Sequence, residues 1–173
     1  MTAFTEVVGI EQLWAPWRME YVSNARTEAS GCFLCVARDD IADLHVVERG
    51  ATTLTILNRF PYTSGHMLIA PCRHVEQLVD ATADEAGAIM AATQRAIRAA
   101  TAALAPDGFN MGVNQGTVAG ASIDHLHIHV VPRWSGDTNF VPVLADVRVL
   151  PEHLAMSANR LRAAFADLTG PSA

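Results

Sequence analysis

Residues 125–131 read His-Leu-His-Ile-His-Val-Val, and an alternation this strict leaves the segment few conformations. Successive side chains of an extended strand point to opposite faces, so His125, His127 and His129 share one face while Leu126, Ile128 and Val130 share the other. The aliphatic face packs and the imidazole face is left for chemistry. Adjacent imidazoles should stand about 6.5 Å apart, from the strand rise, close enough for neighbours to grip one phosphate. A single strand histidine is usually a structural residue that has found a hydrogen bond. Three in alternation point elsewhere, because neutral imidazole offers a nucleophilic nitrogen, a metal ligand or a general acid/base in one residue type. Pro132 is expected to end the strand.

Upstream, Cys32 and Cys35 are separated by two residues, a spacing that suits one tetrahedral zinc completed by two further nitrogen or sulfur ligands. A redox pair is the competing reading, disfavoured because no flanking strand and helix pattern of a thioredoxin-like site is evident. With Cys72 the cysteine count is three. An odd count with two close together fits a reduced compartment and a metal pair better than a disulfide framework.

The local code between these motifs predicts an α+β chain. Leu44–Glu48 and Thr52–Asn58 read as strands joined by the Arg49-Gly50-Ala51 turn, and Asn58–His66 as a loop with Pro and Gly punctuation before an apolar strand at Met67–Ala70. Thr82 and Glu85 form a capping box opening a helix over 83–104, with Ile89, Met90, Ile97 and Leu104 as its core stripe. Pro106-Asp107-Gly108 stops it, and Phe109–Val113 is a fourth strand with Phe109, Met111 and Val113 on one face. Asn114–Ser122 is a loop of small and polar residues, able to bring backbone N–H groups close to a phosphate. Beyond Trp134, Asn139–Leu144 is extended and Pro151–Leu168 holds a shorter amphipathic helix. Hairpin-length links argue for an antiparallel sheet of about five strands.

At 173 residues, half of them apolar, the chain suits one domain over 1–173, with 1–12 as a tail and 151–173 as a C-terminal helical segment. Trp14, Trp17 and Tyr21 should anchor the N-terminal arm across the core or a subunit partner, by ordinary packing and not by stacking on a ligand. No apolar run approaches a membrane span and the first residues lack a signal-peptide pattern, so a cytoplasmic protein with no membrane partner is expected. A net charge of −6 argues against nucleic-acid binding but leaves a small phosphorylated ligand open. All twelve basic residues are Arg, which excludes a phosphate-loop lysine and a Schiff-base lysine.

The run His125–Val131 also resembles the His-φ-His-φ-His-φ-φ signature of the histidine triad nucleotide hydrolases and transferases. Asp124, Pro132-Arg133-Trp134 and Gly136-Asp137-Thr138-Asn139-Phe140 look like the bacterial diadenosine tetraphosphate phosphorylase or adenylyltransferase branch, and the likeness covers about Leu13 to Leu150. The resemblance implies the histidine triad fold and a homodimer. For the metal it implies His74 and His125 beside Cys32 and Cys35 around a structural zinc, which would fix the register of the strand bearing His127; Cys72 and His45 stand as possible substitutes. It also places Asn58 near the nucleotide ribose, His66 in support of the triad, and Asn114, Gly120 and Ser122 along the phosphate chain.

The activity implied is nucleotidyl transfer at the α-phosphate of a purine nucleotide or dinucleoside polyphosphate. His127 would attack to form a nucleotidyl-histidine, His129 would donate a hydrogen bond to the phosphoryl oxygens or leaving group, and water or inorganic phosphate would release the nucleotide. Two rivals are a purine nucleoside phosphoramidase or hydrolase of the same family, with an amine as leaving group, and a nucleotide-binding module without turnover.

Overall fold

Five short segments of extended backbone form one antiparallel sheet in the computed structural model, which describes residues 31–137 and 152–168. They are β1 (Val46–Arg49), β2 (Thr53–Leu57), β3 (Met67–Pro71), β4 (Gly108–Gly112) and β5 (Ile128–Arg133), in spatial order β1-β2-β3-β5-β4. Three α-helices accompany them among the described residues: α1 (Phe33–Asp39), α2 (Ala83–Leu104) and α3 (Leu154–Asp167). The architecture is the expected α+β one, with α2 as the long helix and α3 as the shorter C-terminal one. The N-terminal tail and its aromatic arm, and the extended segment at Asn139–Leu144, lie outside the described residues.

Every residue of β2 and β3 is buried, because helices cover both faces of the sheet. Their pleat sorts the side chains in two. Leu57, Met67 and Ile69 join Val130 in the larger core under α2 and α3, while Leu54, Ile56, Leu68 and Ala70 meet Leu34 and Ala37 of α1 on the opposite face. Helix α1 was not foreseen from the sequence, and it is α1 that carries the cysteines: Cys32 is its N-cap and Cys35 lies in its first turn. So the cysteine pair does sit at a helix start.

Helix α2 begins as its code dictates. Glu85 N–H donates to Thr82 Oγ1 at 3.2 Å, and Thr82 N–H to Glu85 Oε2 at 2.9 Å. Its buried stripe is Ile89, Ala92, Thr93, Ala96, Ala99 and Ala100, whereas Met90 faces solvent. The expected stripe of long side chains is thus corrected: small residues let the helix lie close on the sheet, and Ile97 and Leu104 only flank the core.

The first strand starts at Val46 instead of Leu44, where Val46 N–H turns back to Asp43 O at 3.2 Å, and the guanidinium of Arg162 on α3 takes the carbonyls of Leu44 and Val46 at this edge. The fourth strand ends at Gly112, one residue short of the expected Val113, and Met111 and Val113 are exposed. Pro132 does not end its strand. It lies inside β5 opposite Phe109, and its carbonyl points away from β4, accepting a hydrogen bond from Thr63 Oγ1 at 2.8 Å. The ring nitrogen points the same way, to the side on which β3 no longer pairs with β5, since β3 begins at Met67 opposite Val130. The missing N–H therefore costs no ladder bond.

Candidate active site

The three triad imidazoles share the α1 face of the sheet, with Leu126, Ile128 and Val130 against the opposite core, as alternation requires. Their backbone is less uniform than a strand. Pairing of β5 with β3 begins at Ile128, so of the three only His129 stands in the ladder, directly across from Leu68. The segment carrying His125 and His127 is held instead by Leu126 N–H donating to Val75 O at 2.6 Å. Released from the pleat, the rings of His127 and His129 meet edge to face with centroids 4.8 Å apart, closer than strand geometry gives.

Each imidazole has its own environment. His127 is buried, and its Nδ1 lies 2.6 Å from the carbonyl oxygen of His125. A carbonyl only accepts, so Nδ1 carries the proton and Nε2 keeps a lone pair. Burial lowers the pKa of His127 from its ordinary value, partly offset by that carbonyl, and so favours the neutral, nucleophilic ring. His129 is half-buried beside His66, whose Nε2 lies 2.9 Å from His129 Nδ1. His66 itself is fully buried and stacks on Tyr62 at 4.7 Å between ring centroids. Tyr62 was legible only as loop punctuation between Pro61 and Thr63, and nothing in the sequence pairs it with His66.

His125 is turned away from the other two. Its Nε2–H donates to Pro71 O at 2.9 Å, which leaves the Nδ1 lone pair facing Cys32 Sγ at 3.2 Å and Cys35 Sγ at 3.6 Å. His74 Nδ1 lies 3.5 Å from Cys35 Sγ, and one ligand atom from each of the four residues falls within 4.8 Å of the others. Nitrogen and sulfur ligands on a tetrahedral zinc stand about 3.5 Å apart, given the usual bond lengths. The donor set therefore fits, and the bond to Pro71 O supplies the outer-shell partner that ligating histidines ordinarily have. Burial, and then Cys32, push the Cys35 thiol up from its ordinary value; a divalent cation between the sulfurs reverses that preference. Neither Cys72 nor His45 joins the cluster: the Cys72 carbonyl accepts from Arg38 Nη1, and His45 Nδ1 pairs with Asp43 at 3.0 Å.

The remaining expected residues lie in two loops. Asn58 closes the loop beside His66, accepting from Phe60 N–H at 2.9 Å. Asn114 and Ser122 are half-buried at the two ends of a loop whose short 3₁₀ turn, Thr117–Ala119, lies between Gly116 and Gly120. Both glycines have positive φ, +78° and +89°, which lets the loop turn tightly without a side chain in the way.

Fold and site together define a class. The family model of the HIT domain matches residues 38–136, and the chain belongs to that family. It is 40% identical over 166 residues to an AP-4-A phosphorylase of Mycobacterium tuberculosis, covering 88% of this chain and 85% of that protein. Among solved structures it resembles a zinc-bound histidine triad family protein from Mycobacterium smegmatis, with 34% identity, a TM-score of 0.67, and coverage of 80% of this chain and 95% of that one. A hypothetical histidine triad nucleotide-binding protein from Sulfolobus tokodaii shares the fold at 24% identity and a TM-score of 0.65, over 79% of this chain and 93% of that one. No described helix is long and apolar enough to cross a membrane.

Proposed function

We propose that the protein is a nucleotidyl hydrolase or transferase acting at the α-phosphate of a dinucleoside polyphosphate, in the manner of a diadenosine tetraphosphate phosphorylase. One observation carries this reading: the carbonyl of His125 holds the Nδ1 proton of His127 and so leaves a lone pair on Nε2, 4.8 Å between ring centres from His129. The 40% identity to an AP-4-A phosphorylase supports the substrate class.

The Nε2 lone pair of His127 attacks the α-phosphorus, the bond to the bridging oxygen breaks, and its electron pair leaves on the polyphosphate. His129 donates to the oxygens on which charge gathers, and Asn114 with the loop to Ser122 takes the phosphate chain. An oxygen of inorganic phosphate then displaces His127 and restores its lone pair, so that diadenosine tetraphosphate yields ATP and ADP. Cys32, Cys35, His74 and His125 would hold a structural zinc, which supplies folding free energy and no bound water for the reaction. Two such protomers pair as a homodimer.

Stereochemistry at phosphorus tests the order of bond making. Two in-line displacements each invert the α-phosphorus, so a substrate chiral there is converted with overall retention. Net inversion means direct attack by the acceptor with His127 as general base, and refutes the covalent route even if His127→Ala is inactive. Assaying diadenosine tetraphosphate and adenosine phosphoramidate, each with and without phosphate, separates the phosphorylase from a phosphoramidase. Binding without turnover of either points to a binding module.

A further inference from the structure

Cys32 caps α1 and Cys35 lies in its first turn, so the pair has the helix start that a dithiol redox site uses. Cys32 keeps extended backbone, with φ −67° and ψ 120°, and only Cys35 is fixed in the helix. Their sulfurs lie within 4.8 Å of each other. Rotation about the Cα–Cβ bonds closes that gap to an S–S bond of about 2.05 Å without unwinding α1. Both thiols are half-buried, and the open side of the cluster is that of His74, its one exposed member. A small oxidant can therefore reach the sulfurs, which zinc would hold as thiolates, the nucleophilic form. Cys72 lies outside the cluster.

We infer that Cys32 and Cys35 form a reversible oxidation site, whose oxidant is a hydroperoxide and whose disulfide product expels the zinc. One thiolate attacks a peroxide oxygen, the O–O bond breaks, and hydroxide leaves behind a sulfenic acid. The second thiolate attacks the sulfenic sulfur, the S–S bond forms and a second hydroxide departs. Two thiolates are thus oxidised as one hydrogen peroxide is reduced, and the metal, left with His74 and His125, dissociates. The consequence passes through His125, whose carbonyl holds the Nδ1 proton of His127 at 2.6 Å. The stretch before β5 keeps its bonds to Pro71 O and Val75 O but loses its tie to α1. The effect on turnover rests on the proposed nucleotidyl transfer, in which His127 attacks, and the oxidised protein forms the adduct slowly.

Hydrogen peroxide added to the full-length, zinc-loaded protein tests this, with Cys72→Ala treated beside the native chain. In both proteins a colorimetric chelator should take up about one zinc for each Cys32–Cys35 disulfide found by peptide mass, as a closed structural site requires. Dithiothreitol with added zinc should reverse both changes. Adduct formation should slow about tenfold or more in the oxidised form and recover on reduction. The Nδ1 proton of His127, followed by NMR, should exchange faster with solvent after oxidation, a readout that needs no turnover.

Zinc that stays bound through oxidation, a disulfide to Cys72, or sulfinic acid on an unlinked cysteine overturns the inference. Unfolding on oxidation, seen by circular dichroism, overturns it too, since recovery is then refolding. So does zinc release that leaves the His127 proton and the adduct rate unchanged. If the native protein turns over no nucleotide while zinc release, the disulfide and the faster proton exchange appear together, the oxidation site stands and the proposed transfer fails.

Discussion

In the proposed reaction the chemistry turns on His127, whose surroundings make its charge state predictable. Burial lowers its pKa from the ordinary 6.5, and only the neutral ring can attack phosphorus. The His127 limb of kcat/KM should therefore stay flat through neutrality and fall only at a pH below 6.5. An acid limb at or above that value would mean that a different group controls the attack. The same shift acts on stability: with the folded pKa below the unfolded one, the contribution is complete above the unfolded value and is lost as pH falls through the folded one. A labelled nucleotidyl adduct should form on the native protein and vanish in His127→Ala. It should persist in His153→Ala, since His153 only caps α3 by accepting from Ala155 N–H.

At the scale of elements, the end of α2 and the loop bearing His66 are fitted to one another. Gly65 has φ +74°, and a Cβ placed there would come within 2.3 Å of Leu104 Cδ1 in the last turn of α2. Gly65→Ala combines left-handed strain with overpacking and should cost about 2 kcal/mol or more in denaturant unfolding. The next turn offers the reverse. Ala105 caps α2 at φ 48°, a conformation that costs an L-residue about 1–2 kcal/mol. Ala105→Gly should recover part of this and stabilise by about 0.5–1 kcal/mol after the added chain entropy of glycine. An unchanged or lower unfolding midpoint would contradict it. What the sequence reveals here follows the range of the signal. The Thr82–Glu85 cap and the alternation at 125–131 are local codes: the first gives the start of α2 and the second the face of the three imidazoles, whereas the bounds of β5 are set by its neighbours. Helix α1 is only seven residues long and is held by Leu34 and Ala37 packing on β2 and β3, contacts that no local pattern announces. Pro132 misleads for the same reason, because its cost depends on which neighbour β5 has at that point. The Asn58–Tyr62–His66 arrangement is a loop geometry, and composition revealed only that a loop was there.

Across the whole molecule, the cysteine and histidine cluster joins parts of the chain that the sheet does not tie together. Cys32 and Cys35 belong to α1, His74 to the link between β3 and α2, and His125 to the stretch before β5, 93 residues from Cys32. Neighbouring bonds brace each part: Arg38 Nη1 donates to Cys72 O, Arg73 grips Glu85 at the start of α2 through two 2.7 Å contacts, and Leu126 N–H reaches Val75 O. A zinc bound there acts on folding by mass action, and a free concentration 1,000 times the dissociation constant stabilises by about 4 kcal/mol. For a chain of this size that corresponds to a Tm change of roughly 8–16 °C. The purified protein should carry about one zinc per chain, as for a closed structural site, and chelation should lower Tm by that amount. Cys32→Ser should reproduce much of the loss and hurt stability more than it hurts the chemistry of the remaining folded protein. The carbonyl of His125 also holds the Nδ1 proton of His127, so complete removal of the metal should slow adduct formation as well as lower Tm. Metal-free protein with an unchanged Tm, or a disulfide joining Cys32 to Cys35 in the active protein, would sink the zinc assignment.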